Sequence, residues 1–189
     1  PDNFPNRYQN PNNNSVTQTN DGGYATSGGY DLYVYVDDPI FDYVYQQRDV
    51  LVTKYDSDGI VQWCKSISAL SGSGDVIRQT TDGGYIILSG SSIIKLDNSG
   101  NFVFYTYYSG TGATFYDIKQ TADGGYIATG KTNSGVCLLK TDNAGTVTWY
   151  RQYTGNMNDA GNSVQQTSDG GYIIAGNTEN WGAGSKDIF

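Results

Sequence analysis

Short runs of alternating apolar and polar residues recur along the chain, and turns rich in Gly, Asp and Asn separate them. Three aromatic examples are "IVQWCKSI", "NFVFYTYY" and "TVTWYRQY", which begin at Ile60, Asn101 and Thr146. Alternation with a period of two is typical of β-strands that bury one face. No stretch of ten or more residues has the 3.6-residue apolar period that an amphipathic helix needs. The pattern predicts an all-β fold.

One motif, Gln-Thr-x-Asp-Gly-Gly-Tyr, occurs four times with small variations. Its copies begin at Gln18, Gln79, Gln120 and Gln166. Their first Asp residues, Asp21, Asp82, Asp123 and Asp169, are separated by 61, 41 and 46 positions. A repeat length in the forties is typical of β-propeller blades, each a four-stranded antiparallel sheet.

Each repeat contains signals for four strands. A β-branched residue two positions before the Gln marks the first strand, and Asp-Gly-Gly is a hairpin turn whose glycines tolerate positive φ. The second strand begins at the Tyr of the motif. The third strand carries a lysine (Lys54, Lys95 or Lys140) and ends in an Asp-x-x-Gly turn, and the aromatic run forms the fourth. We expect the lysine to pair with a nearby Asp or to extend along the sheet.

The repeats predict one propeller domain, or a segment of one, over residues 1–189. The units span approximately 11–70, 71–112, 113–158 and 159–189. The last unit is incomplete, because its third strand begins at Ile188 and the Lys-x-Asp-x-x-Gly turn does not follow. Either residues 1–10 supply a strand that closes a four-bladed ring, or the chain is a piece of a longer array.

The chain resembles the Asp-Gly-Gly-Tyr repeat β-propellers of bacterial secreted and cell-surface proteins. The shared text is Gln-Thr-x-Asp-Gly-Gly-Tyr, then Lys-x-Asp-x-x-Gly, then an aromatic residue. The resemblance covers nearly the whole chain and implies a propeller fold and a secreted or cell-surface location. It implies no catalytic residues, because such proteins share a repeat and not an activity.

Charge and composition exclude several classes of partner. The formal net charge is -8 and the pI is about 4.2, so neither nucleic acid nor an anionic membrane surface is an expected partner. The sequence contains no His and only two Cys, which removes the usual zinc-binding patterns. No membrane-inserting segment is visible, and scarce Cys with abundant Asn, Gly, Thr and Tyr resembles exported bacterial surface proteins.

The best candidate site is an insertion in the first repeat. Residues 29–49 lie between the second and third predicted strands, and their alternation predicts a hairpin about Asp37-Asp38-Pro39. The candidate binding residues are Tyr30, Tyr33, Tyr35, Asp37, Asp38, Tyr43 and Tyr45. Tyr rings beside carboxylates are typical of sugar-binding surfaces and of protein interfaces. The alternative is a hairpin that only extends or covers the edge of the blade.

The repeated Asp residues suggest metal chemistry, but a structural role explains them better. Asp56 and Asp58 are a weak calcium candidate, because Asp-x-Asp-Gly continues neither as an EF-hand nor as a nonapeptide array. Capping of the turn by the Asp side chain accounts for this turn and for its sisters at Asp97 and Asp142. We therefore predict no resident metal or cofactor.

The sequence contains no nucleophile elbow, phosphate loop or converging carboxylate pair, so we predict that the protein is not an enzyme. The leading hypothesis is a non-catalytic extracellular module for binding, adhesion or scaffolding. The alternatives are a carbohydrate-binding, lectin-like propeller and a structural subunit or spacer of a surface assembly. The expected partner is a protein or glycan at the cell surface, or the remaining blades of a longer parent chain.

Overall fold

The computed structural model describes residues 12–36, 43–67, 72–108, 112–155, 157–179 and 187–188; for residues 32–36, 43–47, 154 and 187–188 it describes the backbone alone. Within these ranges the secondary structure is β-strand, with no helix. The strands are β1 (Asn12–Gln18), β2 (Tyr24–Val36), β3 (Tyr43–Tyr55), β4 (Val61–Ile67), β5 (Val76–Gln79), β6 (Tyr85–Ser89), β7 (Ser92–Leu96), β8 (Phe102–Tyr107), β9 (Thr114–Gln120), β10 (Tyr126–Thr132), β11 (Gly135–Thr141), β12 (Val147–Thr154), β13 (Ala160–Gln166), β14 (Tyr172–Thr178) and β15 (Asp187–Ile188).

The strands form four antiparallel sheets in chain order. The first sheet is β1-β2-β3-β4, the second β5-β6-β7-β8, the third β9-β10-β11-β12 and the fourth β13-β14-β15. Consecutive strands pair with each other, as short hairpin turns require. The prediction of an all-β, propeller-like segment of about four blades is confirmed.

Glycines at two repeated turns make these hairpins. The first turn of each repeat places Gly22, Gly83, Gly124 and Gly170 at φ of 83°, 79°, 82° and 85°. The second turn places Gly59, Gly100 and Gly145 at φ of 82°, 76° and 80°. Only glycine adopts this left-handed region without a steric cost from Cβ. The repeated Asp-Gly-Gly and Asp-x-x-Gly motifs therefore set the turns.

The insertion of the first repeat continues the β2–β3 hairpin. Pairing extends without a break from Tyr24↔Tyr55 to Val36↔Tyr43. The predicted hairpin is thus confirmed in its strands, and the predicted turn at Asp37-Asp38-Pro39 lies outside the described residues, as do residues 1–10.

The chain divides into two compact units, Pro1–Ile77 and Arg78–Phe189. In the second unit the middle strands carry the core: β6, β7 and β11 are buried along their whole length. Strand β8 on the outside alternates between exposed and half-buried positions. The middle strands are covered on both faces, which explains continuous apolar runs such as "YIILS".

The motif glutamines join neighbouring sheets of the second unit. Gln120 Oε1 accepts a hydrogen bond from the backbone N–H of Thr81 at 2.8 Å, and Gln166 Oε1 accepts one from Ala122 at 2.8 Å. Each amide therefore bridges its own sheet to the preceding one. This contact gives a packing reason for the repetition of Gln.

Candidate binding groove at the fourth sheet

A lysine–aspartate pair recurs in the first three sheets. Lys54, Lys95 and Lys140 place Nζ at 2.9, 2.9 and 2.8 Å from Oδ2 of Asp21, Asp82 and Asp123. Each ammonium also donates to the backbone carbonyl of the residue that follows it, at 2.8 Å. The lysines are buried and the carboxylates more than half exposed. Of the two arrangements that the sequence left open for these lysines, the structure shows pairing with a nearby Asp.

These contacts lower the pKa of the carboxylates. For Asp123 the hydrogen bond from Lys140 is the largest cause, followed by those from Thr121 Oγ1 and the Gly125 N–H. For Asp82, burial raises the pKa, but hydrogen bonds from Thr80, Lys95 and Gly84 outweigh it and hold the pKa at about 2. Hydrogen bonds to the ionised form of a carboxyl favour that form. The lysine of the third strand and the ionised Asp of the Asp-Gly-Gly turn therefore form an ion pair in each of these sheets.

The fourth sheet repeats the turn without the lysine. Asp169 accepts hydrogen bonds from Thr167 Oγ1 and from the Gly171 N–H at 3.1 Å. These two contacts, Thr167 first, lower the pKa of Asp169. No lysine of the described ranges forms an ion pair with this carboxylate.

The third strand of this sheet is also short. Strand β15 pairs with β14 only at Asn177↔Ile188 and Thr178↔Asp187. In the third sheet the same pairing runs along the whole of β10, from Thr132↔Gly135 to Tyr126↔Thr141. Among the described residues, the edge of β14 at residues 172–176 therefore lacks a partner strand on the β15 side.

A groove of about 770 Å³ lies between the third and fourth sheets beside this edge. Its walls include Trp149, Arg151, Tyr153, Asp159, Tyr172 and Ile174. The Trp149 and Tyr172 rings meet edge-on with centroids 5.7 Å apart, and the Arg151 guanidinium lies 5.4 Å from the Trp149 centroid. The groove is mainly apolar with a cation and a carboxylate at its walls, the usual make-up of a binding site.

The same face is covered at the preceding sheet. Phe104 and Tyr108 of the second sheet occupy the positions that Trp149 and Tyr153 occupy in the third. The Tyr108 hydroxyl donates to the carbonyl of Gly145, in the β11–β12 turn, at 2.6 Å. Tyr108 is consequently 6% exposed, whereas Tyr153 is 48% exposed. Tyr153 lines the groove instead.

Of the predicted site residues in the insertion, Tyr30 is the one whose side chain is described. Its hydroxyl donates to Asp49 Oδ2 at 3.1 Å and lies 2.8 Å from Ser66 Oγ, within the first sheet. Tyr33, Tyr35, Tyr43 and Tyr45 are placed by backbone pairing: Tyr33↔Gln46, Val34↔Tyr45, Tyr35↔Val44 and Val36↔Tyr43. Directly paired residues share a face, so Tyr33 and Tyr35 lie on the face opposite Tyr43 and Tyr45. Asp37 and Asp38 lie outside the described residues.

The weak calcium candidate is a capped turn. Asp56 Oδ1 accepts hydrogen bonds from the N–H groups of Asp58 and Ile60 at 3.0 and 2.8 Å. Asp97 and Asp142 cap their turns in the same way. Turn capping therefore accounts for the position of Asp56. The described part of the chain contains no group of three or more candidate metal ligands.

Sequence reasoning missed the groove, although one signal pointed toward it. The sequence has four Asp-Gly-Gly-Tyr motifs and three Lys-x-Asp-x-x-Gly motifs, and this difference indicated an incomplete last blade. That count did not show that Trp149, Arg151 and Tyr153 would line a groove. Their strand resembles β8 in its alternating aromatic pattern, and the contacts of the two strands differ.

Comparisons with known proteins do not place this chain in a family. No protein family matches the chain, and no curated protein does. One similar solved structure is a protein of unknown function from Bacteroides caccae, with 12% sequence identity and a TM-score of 0.49 over 90% of this chain and 71% of that chain. A likeness at this level bears on neither mechanism nor function. None of the described residues forms a helix of the length and apolarity needed to cross a membrane.

Proposed function

We propose that this protein is a non-catalytic binding module of a bacterial secreted or cell-surface protein, and that it binds a protein through the groove at the fourth sheet. The observation that carries the proposal is the mainly apolar groove of about 770 Å³ beside β12. Its walls include the exposed side chains of Arg151 and Tyr153 and the half-buried ring of Trp149. Exposed aromatic residues and arginine are the residue types that contribute most to protein interfaces.

The chemistry of the groove supports binding of a polypeptide. Trp149 and Tyr172 offer a rigid apolar surface that loses little conformational entropy on binding. Arg151 and Asp159 add one group of each charge at the walls. A partner with an apolar stripe and a few polar groups fits such a site better than a highly charged one.

A carbohydrate ligand is the second candidate, and one observation favours it. The groove brings the Trp149 ring together with Asp159 and Arg151. An aromatic ring offers a surface for the apolar face of a sugar, and the Arg151 guanidinium can donate to sugar hydroxyls. Parallel protein and glycan arrays separate the two candidates.

The experiment is to probe a bacterial surface-protein array and a glycan array with the fluorescently labelled chain. The groove variant is Arg151→Ser with Tyr153→Ser, both exposed residues of β12. The matched control is Lys65→Ser with Tyr107→Ser, which removes the same kinds of side chain from exposed positions of β4 and β8. The thermal midpoint of each variant verifies that it is folded.

The wild type and the control should bind the same protein spots, and the groove variant should lose at least tenfold of the signal. Signal confined to glycan spots and lost in the groove variant would replace the protein ligand by a carbohydrate. Equal binding by the groove variant and the control would contradict both candidates, because the ligand would then contact another surface.

A further inference from the structure

We propose that β8 pairs antiparallel with β8 of a second copy of this chain, so that the second sheets of two copies join into one continuous sheet. In this arrangement Tyr105 of one copy lies opposite Tyr107 of the other, and Thr106 lies on the two-fold axis. The edge belongs to the second sheet, whereas the groove is lined by the third and fourth sheets. Pairing at β8 is therefore independent of the binding function proposed for the groove.

Strand β8 is the last strand of the second sheet. Among the described residues it pairs with one strand, β7. All four strands of this sheet lie in the middle of the chain, between residues 76 and 107. A strand that pairs on one side presents a row of N–H and C=O groups on the other, and an extended strand can pair with them. The second sheet therefore offers an edge at β8.

The pairing of β7 with β8 fixes which backbone groups reach this edge. Directly after β8, the Tyr108 N–H donates to the Ser91 carbonyl at 3.1 Å, and the register runs without a shift through the next four pairs. Hydrogen-bonded and non-hydrogen-bonded pairs alternate along an antiparallel ladder. Thr106, like Tyr108, therefore directs its N–H and C=O toward β7, whereas Tyr105 and Tyr107 direct theirs to the outer edge.

The side chains along this edge are apolar and exposed. Val103, Tyr105 and Tyr107 are 54%, 38% and 58% exposed. Tyr105 and Tyr107 are two positions apart in the strand, so their rings lie on one face. The Tyr105 hydroxyl lies 3.2 Å from Ser92 Oγ of β7, which holds this ring along the sheet. Aromatic pairs across neighbouring strands stabilise a sheet, and pairing at β8 brings these rings together.

The lack of charge distinguishes β8 from the last strands of the first and third sheets. Strand β4 carries Lys65 and strand β12 carries Arg151, and both side chains are exposed. Residues 98–116, which include all of β8, contain no Asp, Glu, Lys or Arg. Charged side chains, lysine above all, keep edge strands of natural proteins from pairing with other chains. Strand β8 has no such side chain.

Charge and symmetry select a second copy as the occupant. Each chain has a formal net charge of -8, which opposes association of two copies in general, but the uncharged β8 edge lets them meet without opposing like charges. A two-fold contact uses the same surface on both copies. With Tyr105 opposite Tyr107 of the second copy, the outward N–H and C=O groups of both residues are bonded in both copies. Thr106 then faces itself in a pair without backbone hydrogen bonds, as its direction toward β7 requires.

The first test measures the mass of the full chain by sedimentation equilibrium over a range of protein concentrations. We expect the mass to rise from one chain to two and to stop there, because each chain has one β8 edge. Tyr105→Lys should weaken the dimer at least tenfold, since it places a charge on the paired edge. The matched control is Tyr24→Lys, because Tyr24 is 41% exposed and lies in β2, which is paired on both sides. This control should dimerise like the wild type, and thermal midpoints verify that both variants are folded.

A mixing experiment tests the register. Tyr105→Lys and Tyr107→Glu should each be mainly monomeric alone. An equimolar mixture should dimerise at least threefold more tightly than a mixture of Tyr105→Lys with Tyr105→Glu. In the first mixture the introduced ammonium and carboxylate are directly opposite, and in the second they are diagonal. The reverse order would refute the register with Thr106 on the axis.

Hydrogen exchange, followed residue by residue by NMR, separates strand pairing from a contact of the rings alone. The amides of Tyr105 and Tyr107 should exchange at least tenfold more slowly at a concentration that favours the dimer than after dilution. The amide of Thr106, which is directed toward β7, should change little. Dimerisation that leaves the Tyr105 and Tyr107 amides unprotected would refute strand pairing.

Several other results would overturn the proposal. A chain that stays monomeric at every concentration would exclude a second copy as the occupant, and a mass that grows beyond two chains would exclude the two-fold contact. Equal dimerisation of Tyr105→Lys and the wild type would place the contact on another surface. Protection of the Tyr105 and Tyr107 amides by an array partner, but not by high protein concentration, would make that partner the occupant of the edge.

The two proposals fail separately. The groove variant, Arg151→Ser with Tyr153→Ser, should dimerise like the wild type while it loses its array signal. The array control that contains Tyr107→Ser should lose the dimer and keep its array signal. Loss of the dimer in the groove variant would refute pairing at β8, because the groove lies in other sheets.

Discussion

The rings of Trp149 and Tyr172 lie with their centroids 5.7 Å apart at an interplanar angle of 63°. Phe104 and Tyr126 form the same contact one sheet earlier, at 6.3 Å and 56°. The earlier pair is covered by the β11–β12 turn, whereas the later pair borders the groove. The same aromatic contact is therefore covered by a turn at the third sheet and borders a candidate binding groove at the fourth.

Replacing Lys140 by methionine should destabilise the fold by about 1–3 kcal/mol, the range for leaving a buried polar group without its partner. The substitution removes the donor to Asp123 and to the carbonyl of Thr141. Urea denaturation measures the change in the free energy of unfolding. Lys65→Met, at an exposed position of β4, should stay within about 0.5 kcal/mol of the wild type. Equal effects of the two substitutions would show that the Lys140–Asp123 pair contributes no more to the free energy of unfolding than an exposed lysine does.

Two equivalent glycines should differ in their tolerance of alanine. Gly125→Ala should lower the thermal midpoint by several degrees, because its Cβ would overlap the Thr141 carbonyl and overpacking of this kind typically costs about 1–3 kcal/mol. Gly171→Ala should lower it much less, since small movements of Thr167 and Asp169 relieve the contact. Calorimetry of both variants measures the difference. A Gly171 variant as unstable as the Gly125 variant would indicate that the space beside Gly171 is already occupied.

Acid should remove part of the stability that the Asp82 carboxylate contributes. The folded-state pKa of Asp82 is about 2, below its ordinary value of 3.8. A carboxylate with a lowered pKa stabilises the fold above its unfolded-state pKa, and this contribution is lost as the pH falls through the folded-state value. The free energy of unfolding should therefore fall between pH 4 and pH 2, and Asp82→Asn should flatten that part of the curve. Lys95→Met should flatten the same part, and an unchanged slope in both variants would contradict the assignment.

The two cysteines should differ in reactivity. Cys64 is exposed, whereas Cys137 is buried, and burial raises the pKa of the Cys137 thiol to about 11. The thiolate is the reactive form, so one thiol per chain should react with Ellman's reagent in the native protein and two in urea. Cys64→Ser should abolish the native reaction. Rapid reaction of both thiols without denaturant would show that β11 opens readily.

A further prediction concerns the two tyrosines Tyr33 and Tyr35 in the insertion of the first sheet. Tyr33 and Tyr35 share one face of the β2–β3 hairpin by register. Replacing both by Ser should weaken binding of a partner that contacts this hairpin and leave the thermal midpoint nearly unchanged. The array experiment and calorimetry measure the two effects. A midpoint several degrees lower would identify the two tyrosines as core residues and end their candidacy as a binding site.

The sequence by itself determined the strands and the turns of this protein. Tyr24, Tyr85, Tyr126 and Tyr172 each open a second strand, as the motif predicted, because Asp-Gly-Gly places a left-handed glycine just before it. These are local properties: alternation decides which face is buried, and turn glycines decide where a hairpin reverses. The insertion hairpin was predictable for the same reason.

The tertiary structure decided which repeated residues are partnered and which are exposed. Lys140 and Asp123 are 17 positions apart, and their contact arises only when β11 pairs beside the Asp-Gly-Gly turn. Tyr108, directly after β8, and Tyr153 of β12 occupy equivalent positions, yet one is buried and the other is not. Burial depends on what the neighbouring sheet places over a side chain, and no local pattern encodes that. For this reason the groove at the fourth sheet is a property of the assembled sheets and not of any single repeat.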